Sequence, residues 1–472
     1  MKGCHMKAAF FEEMNMKTDT IAAIATPMTN SSIGIIRISG DEALTILEKV
    51  FKPKKEKKMK EVPSYTAHYG FAYDGERMLD EVIVLIMKGP HSYTTEDIVE
   101  INCHGGSLVM KKILEAVVKA GARPAEPGEF TKRAFLNGRI DLSEAEAVMD
   151  LIHSKNEFAL NSSLKQLRGV LGDKIISIRK QLIHSVAFIE SALDDPEHYS
   201  MDGFADELKE QILDIMKELK YFLDHADNGR ILKEGIQTVI VGKPNAGKSS
   251  LLNLLLGEDR AIVTDIAGTT RDALEESIQI NGITLNIIDT AGIRETDDLI
   301  ERMGVDRAKK LLKKADLILY VVDSSEPLTS EDTQISVLIH GKKTIVLMNK
   351  SDLEPVVTPQ DIKDKGFENI VQISAKEKTG MDALCDKISS MFFRGEVTFN
   401  DEIYITNVRH KNAVSNALDS LNLVLNSIEK GMPEDFFSID LLDAYEQLGF
   451  IIGESVSEDL VNEIFSEFCM GK

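Results

Sequence analysis

A glycine-rich segment between two apolar runs constrains the fold of this chain more than any other feature. The stretch VIVGKPNAGKSSLLNLLLG carries the pattern Gly242-x-x-x-x-Gly247-Lys248-Ser249 after a strand-like run and before a helical one. The glycines let backbone N–H groups turn inward around phosphate oxygens, and the start of the helix adds a favourable dipole. The segment therefore predicts a phosphate loop in which Lys248 reaches the β- and γ-phosphates and Ser249 binds Mg²⁺.

Further short motifs follow in order, each after an apolar strand-like run. In IIDTAG, Asp289 is suited to act on Mg²⁺ through water, and the N–H of Gly292 can approach the γ-phosphate. In LMNKSD, Asp352 can accept two hydrogen bonds from guanine N1–H and the exocyclic amine, whereas adenine offers no matching pair. Because a buried carboxylate left unpaired is costly, Asp352 is predicted to select the base.

The remaining base-side residues complete the prediction of a GTP-binding domain. Asn349 is expected to face the base edge, the Lys350 stem to cover the base plane, and the SAK segment at 374–376 to offer a backbone N–H to guanine O6. The predicted GTP-binding residues are Asn245, Ala246, Gly247, Lys248, Ser249, Ser250, Thr264, Thr269, Thr270, Asp289, Thr290, Ala291, Gly292, Asn349, Lys350, Asp352, Ser374, Ala375 and Lys376.

The residues expected to act in hydrolysis match the pattern of signalling GTPases less closely. Ile293 follows DTAG where signalling GTPases carry a water-positioning glutamine, so either hydrolysis is nearly idle or a carboxylate comes from elsewhere, with acidic candidates at 295–301. Thr270 is expected to bind Mg²⁺ only when the γ-phosphate is present. Arg271 either supplies positive charge or forms a structural ion pair, and Asn245 can help to hold a monovalent cation.

Periodicity divides the chain into regions of different secondary structure. The run from Leu160 to Ile189 carries apolar residues at spacings of three and four, which predicts one long helix, and the alternation of strands and helices over 236–393 predicts a parallel sheet covered by helices. The predicted fold is multidomain α+β and α/β, in which an N-terminal α+β domain and a discontinuous helical domain accompany an inserted Ras-like P-loop domain. The predicted segments are a disordered extension over 1–17, an N-terminal domain over 18–135, a helical domain over 136–233 and 394–472, and a GTPase domain over 234–393.

Charge and cysteine usage exclude several classes of protein. The formal net charge of −22 disfavours a nonspecific nucleic-acid binder but leaves room for a local basic patch. The lysine-dense stretch KVFKPKKEKKMKEVP is either a solvated loop or a contact for an anionic partner. No apolar run reaches the length of a membrane span. The four cysteines, at 4, 103, 385 and 469, lack metal-ligand spacing and indicate reduced thiols in a cytosolic protein.

Several longer motifs carry a resemblance to a known family. GKPNAGKSSLLN, AGTTRD and DTAGIR resemble the TrmE–Era branch of the GTPases. The N-terminal IAAIATP…IGIIRISG…EINCHGG…EPGEFTKRAFLNGRIDL, the split helical region and the terminal CMGK narrow this to the MnmE (TrmE) family of tRNA modification GTPases, over about residues 18–472.

For the GTPase, this resemblance implies activation by potassium in place of an arginine finger. It maps the potassium ligands to Asn245, Thr264, Ile266 and Thr269. It maps Mg²⁺ to Ser249 and Thr270, and the water-orienting carboxylate to Glu301, which replaces the missing glutamine. It also implies a homodimer through the N-terminal domain, with the two GTPase domains pairing in the GTP state.

For the modification chemistry, the resemblance implies a cytoplasmic heterotetramer with an MnmG-like flavoprotein that uses FAD and NADH. Together they add an aminomethyl or carboxymethylaminomethyl group at C5 of the wobble uridine of certain tRNAs. The one-carbon donor is 5,10-methylenetetrahydrofolate, with 5-formyltetrahydrofolate as an analogue. The implied folate contacts are Arg37, Glu100, Arg139, where family members often have lysine, and Lys472, and the implied catalytic thiol is Cys469.

Two other functions share part of this pattern. A GTP-gated ribosome-assembly or RNA-binding factor of the Era type would have the same GTPase domain, but it would not need the folate-like N-terminal domain or the CMGK tail. Nor does the C-terminus carry a basic, aromatic-interleaved RNA-binding module. An ATPase is disfavoured by Asn349, Lys350 and Asp352.

Overall fold

The structure is a computed structural model that describes residues 19–257, 276–280, 283–288, 311–392, 405–454 and 456–471. The chain forms two compact units. The first unit comprises residues 1–152, 164–216 and 412–472, and the second comprises 153–163 and 217–411. The predicted extension over 1–17 lies outside the described residues.

Two mixed sheets account for the strands of the described residues. The strands are β1 (Ile21–Ile24), β2 (Ile33–Ser39), β3 (Phe51–Pro53), β4 (Thr66–Asp74), β5 (Arg77–Met87), β6 (Ile98–His104), β7 (Arg123–Pro124), β8 (Ile236–Val241), β9 (Glu276–Ile280), β10 (Ile283–Ile287), β11 (Leu317–Asp323), β12 (Thr344–Asn349) and β13 (Ile370–Gln372).

Helices dominate the rest of the described chain. They are α1 (Ala43–Val50), α2 (Ser107–Lys119), α3 (Glu129–Leu136), α4 (Leu142–Ile152), α5 (Glu157–Leu167), α6 (Val170–Asp194), α7 (Phe204–Glu234), α8 (Lys248–Gly257), α9 (Ser330–Ile339), α10 (Pro359–Lys363), α11 (Met381–Phe392), α12 (Val408–Glu429), α13 (Asp435–Ile452) and α14 (Glu458–Ser466). A 3₁₀ turn spans Met59–Glu61. None of the helices in the described ranges combines the length and the apolarity that a membrane span requires.

The first unit is built on a seven-stranded sheet in the order β3-β4-β5-β6-β2-β1-β7. All neighbours are antiparallel except β1 and β7. Side chains alternate across the sheet, so Val82, Val84 and Ile86 of β5 are buried beneath α1 and α2, while Ile83 remains exposed on the other face. The register of β2 and β6 sets Arg37 directly opposite Glu100.

A glycine between two helices corrects one prediction. The apolar run from Leu160 to Ile189 does not form one long helix, because Gly169 at φ +78° separates α5 from α6. Glycine adopts this left-handed conformation without the steric cost of a Cβ, which makes it a common helix terminator. Leu160 and Leu164 are consequently exposed, whereas the α6 stripe from Leu171 onward is buried.

The second unit contains a six-stranded sheet in the order β13-β12-β11-β8-β10-β9. Its strands are parallel except for the antiparallel edge strand β9, which confirms the predicted α/β domain. β11 and β12 are buried along their whole length, as strands covered on both faces are expected to be. The carboxyl ends of β8, β11, β12 and β13 therefore bring the motif segments to one edge of the sheet.

A buried arginine joins two helices of the first unit. Arg179 on α6 is 5% exposed, and its Nε donates to the backbone oxygen of Tyr445 on α13 at 3.0 Å. Its Nη1 donates to Glu454 Oε2 at 2.5 Å, and its guanidinium lies 3.9 Å from the centroid of the Tyr445 ring. One side chain thus satisfies a backbone acceptor and a carboxylate while it packs against an aromatic face.

Replacing Arg179 with methionine should loosen the α6–α13 pair. Arg179→Met keeps much of the apolar volume but leaves the Tyr445 carbonyl and Glu454 without this donor, which costs about 1–3 kcal/mol. Hydrogen exchange should show that loss of protection in α6 and α13. The exposed Arg168 provides the matched control, because Arg168→Met should change protection by less than about 0.5 kcal/mol. Equal protection in the two variants would contradict this role for Arg179.

Candidate functional site

The phosphate loop lies at the carboxyl end of β8, as the sequence predicts. β8 ends at Val241 and α8 begins at Lys248, so Ser249 and Ser250 occupy the first turn of the helix. Lys248 is 3% exposed, and its ammonium donates to the carbonyls of Gly242 at 2.9 Å and Lys243 at 2.8 Å. The predicted phosphate-binding cation is therefore held within the loop, beside the start of the helix.

The backbone of this loop adopts conformations that few residues tolerate. Asn245 has φ +58°, a left-handed conformation that asparagine accepts more readily than most residues, and its side chain is exposed. Gly247 has φ +98°, and a Cβ there would lie 2.1 Å from Nδ2 of Asn349. Glycine is thus required at 247 because the Asn349 amide packs against the loop.

Asn349 links the phosphate loop to the base-side loop. Its Nδ2 donates to the Ala246 carbonyl at 2.9 Å, and its Oδ1 accepts from the Ala375 N–H at 3.0 Å. The side chain is only 3% exposed. The sequence interpretation placed Asn349 at the base edge, and the structure adds a bracing role that the motif did not reveal. The N–H of Ala375, which belongs to the predicted SAK donor segment, is engaged by this brace.

Lys350 is fixed by a carboxylate that sequence reasoning missed. Its Nζ lies 2.5 Å from Oδ2 of Asp323, which is 2% exposed at the end of β11. Burial opposes ionisation of Asp323, but hydrogen bonds from Lys350 and Ser325 outweigh it and hold the pKa of Asp323 below its ordinary value. Lys350 itself has φ +62°, so the ion pair holds a strained residue next to Asn349. The signal available in the sequence was an aspartate directly after the apolar run LILYVV.

Asp352 is oriented by the SAK segment. Its Oδ1 accepts a hydrogen bond of 2.6 Å from the buried Ser374 hydroxyl, which is the main reason why the pKa of Asp352 lies below its usual value. The assumption that this carboxylate is buried was wrong, because Asp352 is exposed. Lys376 is exposed as well, and its Nζ lies 3.7 Å from Glu377. An ionised carboxylate with one oxygen fixed by Ser374 suits the recognition of two adjacent donors.

Part of the predicted catalytic machinery cannot be placed. The predicted residues outside the described ranges are Thr264, Ile266, Thr269, Thr270, Asp289, Thr290, Ala291, Gly292, Glu301 and Lys472. The predicted roles of these residues in binding magnesium, potassium, water and folate stay predictions.

A second group of predicted residues meets in the first unit. Arg37 and Glu100 form a cross-strand ion pair, with Glu100 Oε1 at 2.9 Å from Nε and 2.8 Å from Nη2. Nη1 of Arg37 donates to the backbone oxygen of Gly471 at 3.1 Å. The C-terminal tail, residues 467–471, therefore contacts the Arg37–Glu100 pair, which consists of two predicted folate-binding residues.

Tyr93 lies close both to Arg139, another predicted folate contact, and to Arg37 of the ion pair. The Arg139 guanidinium lies 4.5 Å from the centroid of the Tyr93 ring, and that of Arg37 lies 5.7 Å from it. The Tyr93 hydroxyl is 2.9 Å from the hydroxyl of Thr131. Sequence reasoning missed Tyr93, which lies outside every motif identified in the sequence.

Buried hydrogen bonds hold the loop that carries Tyr93. Thr94 is fully buried, with its hydroxyl 2.7 Å from that of Ser39 and its carbonyl 2.6 Å from Nδ2 of Asn137. Ser92 Oγ donates to the Glu96 carbonyl at 2.6 Å. Because backbone and side chains are both anchored, the ring is held in place without a ligand contact.

Two phenylalanines anchor the C-terminal tail on the first unit. The rings of Phe465 and Phe468 have centroids 5.0 Å apart, and Phe465 also lies 6.2 Å from Phe135. Both phenylalanines belong to the core cluster that includes Phe135, and each is less than 10% exposed. The hydrophobic effect therefore holds the end of α14 against α3 and α4.

Two glycines permit the C-terminal tail to approach the rest of the first unit closely. Gly128 has φ +65°, and a Cβ there would lie 2.6 Å from the Phe465 carbonyl; its N–H donates to the Cys469 carbonyl at 3.4 Å. Gly471 has φ +85°, and a Cβ there would lie 2.5 Å from the Ile24 carbonyl. These positions require glycine, which explains the Gly471 of the terminal CMGK in packing terms.

The thiol of Cys469 differs from the other described thiols. Cys469 is exposed, whereas Cys103 and Cys385 are buried. Burial and the negative charge of Asp80 raise the pKa of Cys103 to about 11, which makes that thiol a poor nucleophile. Of the described cysteines, Cys469 is therefore the one open to chemistry at the surface.

The fold and the nucleotide site define a multidomain P-loop protein with the base-side motif of the GTPases. Family models described as "MnmE helical domain" and "GTP-binding protein TrmE N-terminus" match residues 142–469 and 20–139. Proteins named tRNA modification GTPase MnmE are 58% identical in Lachnoclostridium phytofermentans, over 97% of this chain and 100% of that protein, and 48% identical in Clostridioides difficile, over 96% and 99%. The chain therefore belongs to the MnmE family of tRNA modification GTPases.

Removing the Asn349 amide should weaken nucleotide binding. Asn349→Ala deletes both hydrogen bonds of the brace and leaves the Ala246 carbonyl and Ala375 N–H unpaired, which costs about 1–3 kcal/mol, or about 5- to 150-fold in GTP affinity. Titration with a fluorescent GTP analogue measures this effect. Asn369→Ala is the control, because its amide makes only a 3.4 Å contact with the Thr344 carbonyl and should leave affinity unchanged. Wild-type affinity in Asn349→Ala would refute the brace.

Proposed function

We propose that this protein is a potassium-activated GTPase that modifies C5 of the wobble uridine of certain tRNAs together with an MnmG-like flavoprotein. The modification adds an aminomethyl or carboxymethylaminomethyl group. The observation that carries the proposal is the contact between the Gly471 carbonyl and Arg37, because it brings the CMGK tail to the predicted folate residues. An Era-type assembly factor, the alternative, has no use for this contact.

In the nucleotide site, each described side chain has a role that its contacts support. Lys248 neutralises phosphate charge inside the loop, and Asp352, held by Ser374, accepts the two donors of guanine. Asn349 keeps the phosphate and base-side loops in register. Ser249 and the predicted Thr270 would hold Mg²⁺, which stabilises the charge that develops during phosphoryl transfer.

Hydrolysis also needs a group that positions the attacking water and a further positive charge at the transition state, beyond the residues of the preceding paragraph. Glu301 is proposed to orient the attacking water. Asn245, Thr264, Ile266 and Thr269 are proposed to hold K⁺, which supplies the transition-state charge that an arginine finger would otherwise provide. The exposed, left-handed Asn245 supports this assignment, because strained residues at a phosphate loop persist where function requires them.

In the first unit, the residues around Tyr93 have the chemistry that a folate requires. Glu100 can accept hydrogen bonds from the amide and amine edge of a pterin, and Tyr93 offers an aromatic face. Arg37, Arg139 and Lys472 are cations suited to the glutamate tail. The bound tetrahydrofolate derivative would supply the one-carbon unit, while the partner would supply FAD and NADH chemistry.

The open face of the seven-stranded sheet supports a homodimer. Tyr69 and Ile83 are direct partners on β4 and β5 and are 39% and 51% exposed, and Ile33 is 59% exposed on the same face. In the described part of the first unit, α1 and α2 cover the opposite face. An apolar sheet face of this kind favours pairing with a second copy through the N-terminal domain.

Potassium should accelerate hydrolysis by this protein. GTP turnover in K⁺ should exceed turnover in Na⁺ by at least about tenfold, because a fixed cation stabilises the transition state. Asn245→Ala should lose most of this stimulation. Asn253→Ala, an exposed asparagine on α8, is the matched control and should keep it. Equal turnover of the wild-type protein in both salts would contradict the assignment of a K⁺ site to Asn245 and its predicted partners.

Cys469 should be needed for modification but not for GTP hydrolysis. Cys469→Ser should abolish the wobble-uridine modification, measured by nucleoside analysis of tRNA from cells that carry only the variant, while GTP turnover stays within about twofold. The neighbouring Met470, which is 66% exposed, gives the control Met470→Ser, with both activities retained. Modification that persists in Cys469→Ser would reduce the thiol to a packing role. An unchanged wobble uridine in cells lacking the protein would favour the Era-type alternative.

A further inference from the structure

A strongly basic segment stands out in an otherwise acidic chain. Residues 52–61, KPKKEKKMKE, contain six lysines and two glutamates, a net charge of +4, whereas the whole chain carries −22. The segment, named the lysine segment here, follows α1 and leads into β4 in the first unit. Neither the nucleotide site nor the site around Tyr93 uses it.

The lysine segment is anchored to the domain at several points. Met59 is 1% exposed within the core beneath the sheet, and Val62, just beyond the segment, is 7% exposed. Lys88 at the end of β5 donates to the Lys60 carbonyl at 2.8 Å, and the Lys60 N–H donates to Glu48 on α1 at 3.3 Å. The buried methionine and these hydrogen bonds fix the backbone, so the lysines project from a defined place on the surface.

The positive charges of the segment are directed to solvent and are mostly unneutralised. All six lysines are exposed, and within the described residues only Lys58 has an ion-pair partner, Glu61 at 3.3 Å. Burial lowers the pKa of His68 in the neighbouring strand, and the positive charge of Lys57 adds to this shift. The exposed, unpaired lysines of the segment therefore give this part of the surface a positive potential.

Aromatic rings flank the lysines. The ammonium of Lys52 lies 4.3 Å from the centroid of the Tyr73 ring, and that of Lys54 lies 5.1 Å from the centroid of Tyr69. Tyr65, which follows the segment, is 63% exposed. Tyr69 belongs to the sheet face proposed for the homodimer, and Tyr73 is half-buried, so Tyr65 is the exposed ring of this group that stays available. An exposed ring beside lysines favours RNA, because rings stack on unpaired bases while lysines contact phosphates.

We propose that the lysine segment binds the phosphate backbone of tRNA. This inference rests on the proposed function, which makes tRNA the substrate. A chain with net charge −22 repels a polyanion over much of its surface, so a fixed cluster of exposed cations marks where such a substrate can approach. Lysine contacts to phosphates carry little sequence information, and they position the substrate for recognition elsewhere.

Charge removal within the segment tests this assignment on the full-length protein. The triple variant Lys54→Gln, Lys55→Gln and Lys57→Gln is compared with the control Lys111→Gln, Lys180→Gln and Lys217→Gln, which removes three exposed lysines elsewhere. The affinity for unmodified tRNA is measured at several KCl concentrations. The segment variant should show a slope of log affinity against log salt that is shallower by about two, and affinity lower by on the order of 10- to 100-fold near 0.1 M salt.

The outcomes separate the failure of this inference from failure of the proposed function. The control should bind tRNA like the wild type, and both variants should hydrolyse GTP normally. Equal slopes for the wild type and the segment variant would overturn the inference alone. A wild-type protein that binds no tRNA at any salt concentration would overturn the proposed function with it.

Lysine footprinting provides an independent measurement. Acetylation of Lys54, Lys55 and Lys57, read by mass spectrometry, should fall when tRNA is added and stay unchanged at Lys111. Protection by polyglutamate, used as a probe for an acidic protein surface, without protection by tRNA would overturn the assignment to RNA.

Discussion

The amide of Asn349 holds together the two halves of the nucleotide site. One side chain at the end of a central strand donates to the phosphate loop and accepts from the base-side loop. Because the amide is buried, neither loop can shift without leaving a polar group unpaired. The closeness of this packing requires glycine at 247, and the residue after Asn349, Lys350, adopts a left-handed conformation and is held by Asp323. The parallel strand order makes this brace possible, since it brings three loops to one edge.

Much of this fold and part of each site could be predicted from sequence. Local patterns were sufficient where the signal is local, as in the phosphate loop and the alternating strands and helices of the second unit. Prediction failed where one residue interrupts a strong pattern, since Gly169 ends a helix that periodicity alone continues. The exposure of Asp352 was also misjudged, because burial depends on neighbours from distant segments.

The missed site residues share a physical cause. Asp323 and Tyr93 gain their roles from partners on other strands and loops, so no spacing in the chain encodes them. The family resemblance named Arg37, Glu100 and Arg139, but it did not indicate that an aromatic ring lies close to both guanidinium groups. The buried Arg179 and the half-buried Arg37 are both paired with carboxylates, whereas the exposed lysines of residues 52–61 are mostly left to solvent. In these two groups, the fixed fork geometry of arginine suits the paired positions and the strong hydration of lysine suits the exposed segment.

The docking of the C-terminal tail also fixes the order in which parts of the structure can form during synthesis. The hydrogen bond between Arg37 and Gly471 joins residues 434 positions apart, so 434 more residues must be synthesised after Arg37 before that contact can form. At about 5–20 residues per second, roughly 20–90 seconds separate the synthesis of Arg37 from that of Gly471. The phosphate loop and its helix leave the ribosome long before that moment. A nascent chain would thus carry the phosphate loop while the hydrogen bond between Arg37 and Gly471 has not yet formed.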